Sequence, residues 1–127
     1  MAPRLRLRIG EVEAVVELNE TETARALYES APFESVAETW GDEVYFSTPV
    51  SKGLEEGHAK EVVELGEVGY WPPGRAMCLF FGPTPVSGPG EIRPASAVTI
   101  VGRLVTDPEE LRKVKDGDPI KVEREEG

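Results

Sequence analysis

The chain has 127 residues, 39% of them hydrophobic and 30% charged, with 24 acids against 14 lysines and arginines for a formal net charge of −10. That length supports one domain, residues 1–127, with a single core. The excess of acid excludes phosphate-led recognition of nucleic acid, which needs a cationic footprint, and no apolar run approaches the roughly 20 residues of a membrane span.

The opening MAPRLRLRIG has no signal-peptide core, so the expected location is cytoplasmic. Residues 4–9 (RLRLRI) alternate strictly, and the arginines at 4, 6 and 8 read as the solvated face of a half-buried sheet. Gly10-Glu11 then turns the chain into a second strand over residues 12–18, completing a hairpin. Asn19 offers an N-cap with Glu22 three positions on, and Ala24, Leu27, Tyr28 and Ala31 recur at helical spacing until Pro32 stops the helix. Two β segments follow, 33–40 and 43–48, joined at Gly41-Asp42, and residues 49–60 read as a surface loop. Strands are expected at 61–65 and 76–81, with an irregular loop over 82–94. Residues 97–105 form a long β segment in which Gly102 suggests a bulge or sharp bend. Asp107, Pro108, Glu109 and Glu110 read as cap, first-turn proline and acidic first turn of a second helix, ending at Asp116-Gly117 before a last strand over 119–125. About eight strands and two short helices make a small β-barrel capped by helices.

The chain has no glutamine and one asparagine, Asn19, beside abundant charge, a balance that points to a heat-adapted source. Its one cysteine, Cys78, cannot form an internal disulfide and lies in an apolar run, so it reads as a buried, inert thiol in a reducing compartment. The one histidine, His58, has Glu55, Glu56, Glu61 and Glu64 near it, but a protein metal site needs three or four converging ligands, and neither a metal nor a cofactor is expected. One loop histidine is poor material for a Ser-His-Asp or Cys-His system, and no phosphate-binding glycine loop follows a strand into a helix.

The most informative stretch is GEVGYWPPGRAMCLFFG, residues 66–82, which sets Tyr70, Trp71, Phe80 and Phe81 around two prolines. Tyrosine and tryptophan join a large apolar body to a polar handle and serve both cores and recognition surfaces. Adjacent strand residues face opposite ways, so Phe80 and Phe81 part company, as do Tyr45 and Phe46. Glu34, Glu38 and Glu43 flank Trp40; a carboxylate buried beside aromatics has a raised pKa and suits acid–base work, whereas an exposed one is ordinary surface charge. Arg75 follows the rigid Pro72-Pro73-Gly74 turn and reads either as a guanidinium presented to a carbonyl or carboxylate, or as a solvent-facing side chain.

The segments VYFSTP (44–49), GEVGYWPPGRAMCLFFG (66–82) and AVTIVGRL (97–104) resemble the cyclophilin-like proteins of prokaryotes, and the order of elements is similar to that of the cyclophilin fold. The resemblance implies a closed eight-stranded β-barrel with a helix at each end, and Phe81 looks like that family's proline-pocket phenylalanine. It also implies prolyl cis–trans isomerisation, which in the family rests on an arginine just before a Phe-Met-x-Gln segment. The matching strands here, FESVAETW and EVYFST, hold no arginine, and IRPAS at 92–96 stands where the family carries tryptophan–leucine and histidine. The leading expectation is therefore a binding module with a cleft lined by Trp40, Glu43, Tyr45, Tyr70, Trp71 and Phe81, taking a small molecule or a proline-containing peptide. The alternatives are a prolyl isomerase using Arg75 as its catalytic group, an enzyme with Glu43 or Glu38 as base, and self-association through the aromatic loop.

Overall fold

A computed structural model describes residues 2–125. The opening hairpin pairs β1 (Arg4–Ile9) with β2 (Val12–Leu18) around Gly10, whose φ of 59° is a left-handed conformation that glycine adopts without strain. Leu5, Leu7 and Ile9 are fully buried while the intervening arginines are exposed. Burial of each such side chain contributes about 1.5–3 kcal/mol. Arg4 and Arg6 pair with Glu17 and Glu125 on the neighbouring strands at 3.1 and 2.9 Å, so the basic stripe is a solvated face as its alternation predicts. The single α-helix among the described residues, α1 (Glu22–Ser30), starts two residues later than an Asn19 cap suggests: Thr21 is the N-cap, accepting from Ala24 N, and the Asn19 side-chain carbonyl holds Thr21 in turn.

The remaining strands are β3 (Phe33–Val36), β4 (Glu38–Thr39), β5 (Glu43–Ser47), β6 (Ala59–Lys60), β7 (Glu67–Trp71), β8 (Ala76–Phe80), β9 (Val98–Leu104) and β10 (Pro119–Glu125). All pairings are antiparallel, and the sheet runs β3-β10-β1-β2-β9-β7-β8-β5-β4 with β6 added beside β9. The expected closed eight-stranded barrel is thus corrected to a ten-stranded sheet whose hydrogen-bond ladder stays open. The reason lies at Ala37. Residues 33–40, read as one strand, change partners there: β3 pairs with β10, β4 pairs with β5, and Ala37 bonds instead to the turn at Gly117 and Asp118. The two end strands are therefore consecutive in the chain, separated by one residue. Beside this seam lies a groove bordered by Val36, Glu38, Tyr45, Ser47 and Asp116.

The second expected helix is a pair of 3-10 turns' worth of chain, Pro108–Lys113, capped by Asp107 as its sequence predicts. No strand forms over 61–65; Val63 makes only an isolated bridge to Ile92. A second 3-10 turn, Pro72–Gly74, joins β7 to β8. Among the described residues no helix is long and apolar enough to cross a membrane.

The main core gathers inward residues of every long strand, including Phe46, Val68, Tyr70, Met77 and Leu79, with Ala24 and Leu27 of α1. The irregularity expected at Gly102 is a bulge in β9, where the register against β7 shifts between Val68 and Gly69. Gly102 also lies so close to β2 that a Cβ there would stand 2.2 Å from the Glu17 carbonyl oxygen. Backbone cannot yield as a side chain does. Gly102→Ala is expected to destabilise the fold by about 2–3 kcal/mol, read as a lowered urea midpoint at unchanged slope; a midpoint within error of wild type would show that the β2–β9 contact is slack.

Candidate functional site

Alternation on three neighbouring strands builds the site. In β5, Val44 and Phe46 enter the main core, which turns Glu43, Tyr45 and Ser47 to the outer face. In β8, Met77 and Leu79 point inward and Ala76, Cys78 and Phe80 outward; in β7, Val68 and Tyr70 point inward, leaving Gly69 and Trp71 outside. The registers align Tyr45 with Cys78, Cys78 with Gly69, and Ala76 with Trp71. An outer face normally meets water. Here Ala76, Cys78, Phe80, Val98 and Val63 form a second apolar cluster, and β8 is buried along its whole length.

The cover is the irregular segment between β8 and β9, held by polar contacts rather than by periodicity. The Ser87 hydroxyl accepts from Thr84 N and Arg93 N, both at 2.9 Å, and the Thr84 hydroxyl donates to the Arg93 carbonyl. Glu91 accepts from Gly88 N and Arg93 Nε at 2.9 Å. Val98 then sits directly over Gly69, where a Cβ would lie 2.7 Å from its Cγ2.

Between sheet and cover is a cavity of about 130 Å³, lined by Trp40, Glu43, Tyr45, Trp71 and Cys78 on one side and by Pro94, Ala95 and Val98 on the other. At about 30 Å³ per water it holds roughly four waters' worth of ligand, well below the 300 Å³ at which drug-sized pockets begin. Trp71 is fixed from two directions: its Nε1 donates to Ser96 Oγ at 2.7 Å, and its ring rests where a Cβ on Gly74 would come within 2.9 Å.

The polar feature of the cavity is Glu43. Its residue is only 4% exposed, and its Oε1 is buried without any hydrogen-bond partner. Removal from water pushes the carboxyl from its ordinary 4.5 up to about 7, while a hydrogen bond from the Cys78 thiol opposes part of the rise. Burial first, then the charge and hydrogen bond of Glu43, drive the Cys78 thiol far upward, so it stays protonated and donates. Burial also raises the Tyr45 phenol, reinforced by the carboxylates of Glu38, Glu43 and Asp116. Acid therefore predominates around that hydroxyl.

Of the residues singled out from sequence, Trp40, Glu43, Tyr45 and Trp71 meet in this cavity. Tyr70 does not: it is fully buried in the main core, its hydroxyl donating to the Val50 carbonyl at 2.6 Å. Phe81 is likewise in the main core, with the Arg112 guanidinium 5.2 Å above its ring. Arg75 is exposed at the end of the Pro72–Gly74 turn with φ 49°, and its carbonyl accepts from Thr48; it does not line the cavity. Glu34, Glu38 and His58 are exposed. Cys78 is the buried thiol that its apolar run predicts; the register opposite Tyr45 is the signal that it shares a face with Glu43. Pro94, Ala95 and Ser96 lie in a stretch whose placement no periodicity reveals.

A family model described as cyclophilin-like matches residues 3–123. The chain is also similar to a hypothetical protein from Archaeoglobus fulgidus known from its solution structure, at 50% identity over 98% of this chain and 95% of that one, with a TM-score of 0.83. No protein of curated function matches the chain.

The raised carboxyl has a stability consequence. A native pKa above the unfolded value means that the folded state holds the proton more tightly; the associated stability is complete below about 4.5 and is lost as pH rises through about 7. At ~1.4 kcal/mol per pKa unit the loss is about 3 kcal/mol. The difference in urea stability between wild type and Glu43→Gln is expected to grow in favour of the variant across that interval and then level off. A difference profile that stays flat with pH would show that the carboxyl titrates normally.

Proposed function

Since the chain belongs to the cyclophilin-like family, whose fold does not by itself dictate an activity, we propose that it is a binding module for a small molecule or a short protruding group, seated in the cavity of Trp40, Glu43, Tyr45 and Trp71. One observation carries the reading: Glu43, whose Oε1 is buried without a hydrogen-bond partner, lines a small aromatic-walled space. A buried polar group left unsatisfied costs about 1–3 kcal/mol, more when charged. A ligand that brings a donor to Glu43 recovers that energy, while the rings supply apolar contact and shape.

Prolyl isomerisation is less well supported. It needs a donor fixed near the proline nitrogen or carbonyl to lower a barrier of about 18–20 kcal/mol, and the lining of this cavity contains no arginine, lysine, histidine or glutamine. The Glu43–Cys78 pair supplies no positive charge there. The cavity suits holding better than twisting.

Two measurements test the reading together. Titration with proline amide and with cyclopentanol, followed by tryptophan fluorescence and amide NMR shifts, should perturb Trp40, Tyr45 and Trp71 and leave α1 untouched, with the response lost in Trp71→Leu. In a protease-coupled proline-peptide assay the rate should match the uncatalysed background. Silence from both probes would remove the binding role, and catalysis that collapses in Arg75→Ala would establish the isomerase in its place.

A further inference from the structure

We propose that the cavity selects an organic ammonium group, with Glu43 as its counter-ion and the rings of Trp40, Tyr45 and Trp71 as its walls. The inference rests on the binding role above and names the class of ligand. Four observations point the same way. Glu43 is less than a tenth exposed, has one oxygen without a hydrogen-bond partner, and lines the cavity. Three aromatic side chains line the same space, and ring faces attract cations by their quadrupole, most strongly when water is excluded. Among the described residues no lysine, arginine or histidine lines it, so none of them answers the carboxylate there. Arg93, the residue before the lining Pro94, is engaged by Glu91 at 2.9 Å.

The surroundings add to the preference. Tyr45 also borders the seam groove, where Glu38 and Asp116 stand, so acid lies along the approach as well as at the floor. Groups facing Glu43 from the packed strands are the Cys78 thiol of β8 and the Tyr45 phenol of β5, both held protonated and neutral. An anion would meet repulsion from Glu43, Glu38 and Asp116 with nothing to offset it. A neutral donor satisfies Glu43 only in part and gains nothing from the ring quadrupoles. Volume sets the upper size: about 130 Å³ takes roughly four or five non-hydrogen atoms. A methylated or primary ammonium at the end of a longer chain meets that limit, as does a free small amine.

The indole of Trp71 fixes the geometry of the wall. Its N–H is spent on Ser96, so the ring can offer the ligand its π system but no donor from that nitrogen. A cavity built to accept a carbonyl or carboxylate ligand would keep such a donor free. This one uses it to anchor its own cover.

Three probes of about five non-hydrogen atoms each decide the matter: tetramethylammonium, tert-butanol and methanesulfonate, each titrated at matched ionic strength and followed by NMR shifts of the Trp40 and Trp71 indoles. Tetramethylammonium is expected to bind at least about tenfold more tightly than tert-butanol at about pH 8, a ratio set by the worth of a desolvated cation–ring contact. Methanesulfonate should not bind. The preference should vanish in Glu43→Gln and shrink by a similar factor in Tyr45→Leu, with unchanged amide dispersion showing that both variants are folded. Saturation with tetramethylammonium should also move the titration midpoint of the Glu43 carboxyl downward, read from its carbon-13 shift. Equal or tighter binding of tert-butanol at the same residues would overturn the ammonium assignment and leave the binding role standing. Absence of any shift with all three probes would overturn both.

Discussion

The site depends on one constraint: a strand segment covered on both faces. The outer side of β5, β8 and β7 would meet solvent if the chain went straight from β8 to β9, and Glu43 would be one more surface acid among 24. Instead, residues 82–97 lie across it, tied by the Thr84, Ser87, Glu91 and Arg93 contacts. Cysteine, phenylalanine and valine fill most of the space beneath. The remainder is too small for bulk water to solvate a charge and too large to be filled by the protein. Everything chemical about the cavity follows from that partial filling.

The same constraint separates holding from catalysis. A carboxylic acid whose affinity for its proton is near neutral pH can exchange that proton with a ligand, and such groups gather at functional sites. Its partner here, the Cys78 thiol, is held far from ionisation, so the pair contains one group that titrates and one that does not. Among the described residues the lining carries no fixed positive charge, which the proposed holding role does without. Arg75, on its exposed left-handed turn, does not line the cavity.

Strict alternation made the hairpin readable, and the helix, the Asp107 cap and the Gly102 bulge followed from local chemistry that tertiary packing did not override. The open ladder was not legible, because the residues on both sides of Ala37 suit a strand and only their partners differ. For the site, Trp40, Glu43, Tyr45 and Trp71 stood out by residue type, and Tyr70 stood out equally. What assigned Tyr70 to the core was parity along β7, which puts it beside Val68 rather than with Trp71. Arg75 had the right chemistry and the wrong address. The covering residues Pro94, Ala95 and Ser96 carry no periodic signal at all; a side-chain hydrogen bond from Trp71 Nε1 to Ser96 Oγ, and not an apolar stripe, holds them.

The interruption at Ala37 leaves β3 and β4 as terminal strands, each with a row of backbone groups that a foreign strand could satisfy. Exposed edges of this kind are hazards that folded proteins blunt with charge. Glu34 and Glu38 stand on these strands, and Asp116 bonds to the Thr39 amide beside them, in a chain that already repels its copies through a surplus of ten negative charges. Protection of this sort is electrical and so conditional. Near the isoelectric point of about 4.6, where the net charge vanishes, the molecule would lose its deterrent while keeping its unsealed join, and edge-to-edge clustering between copies becomes the favoured failure.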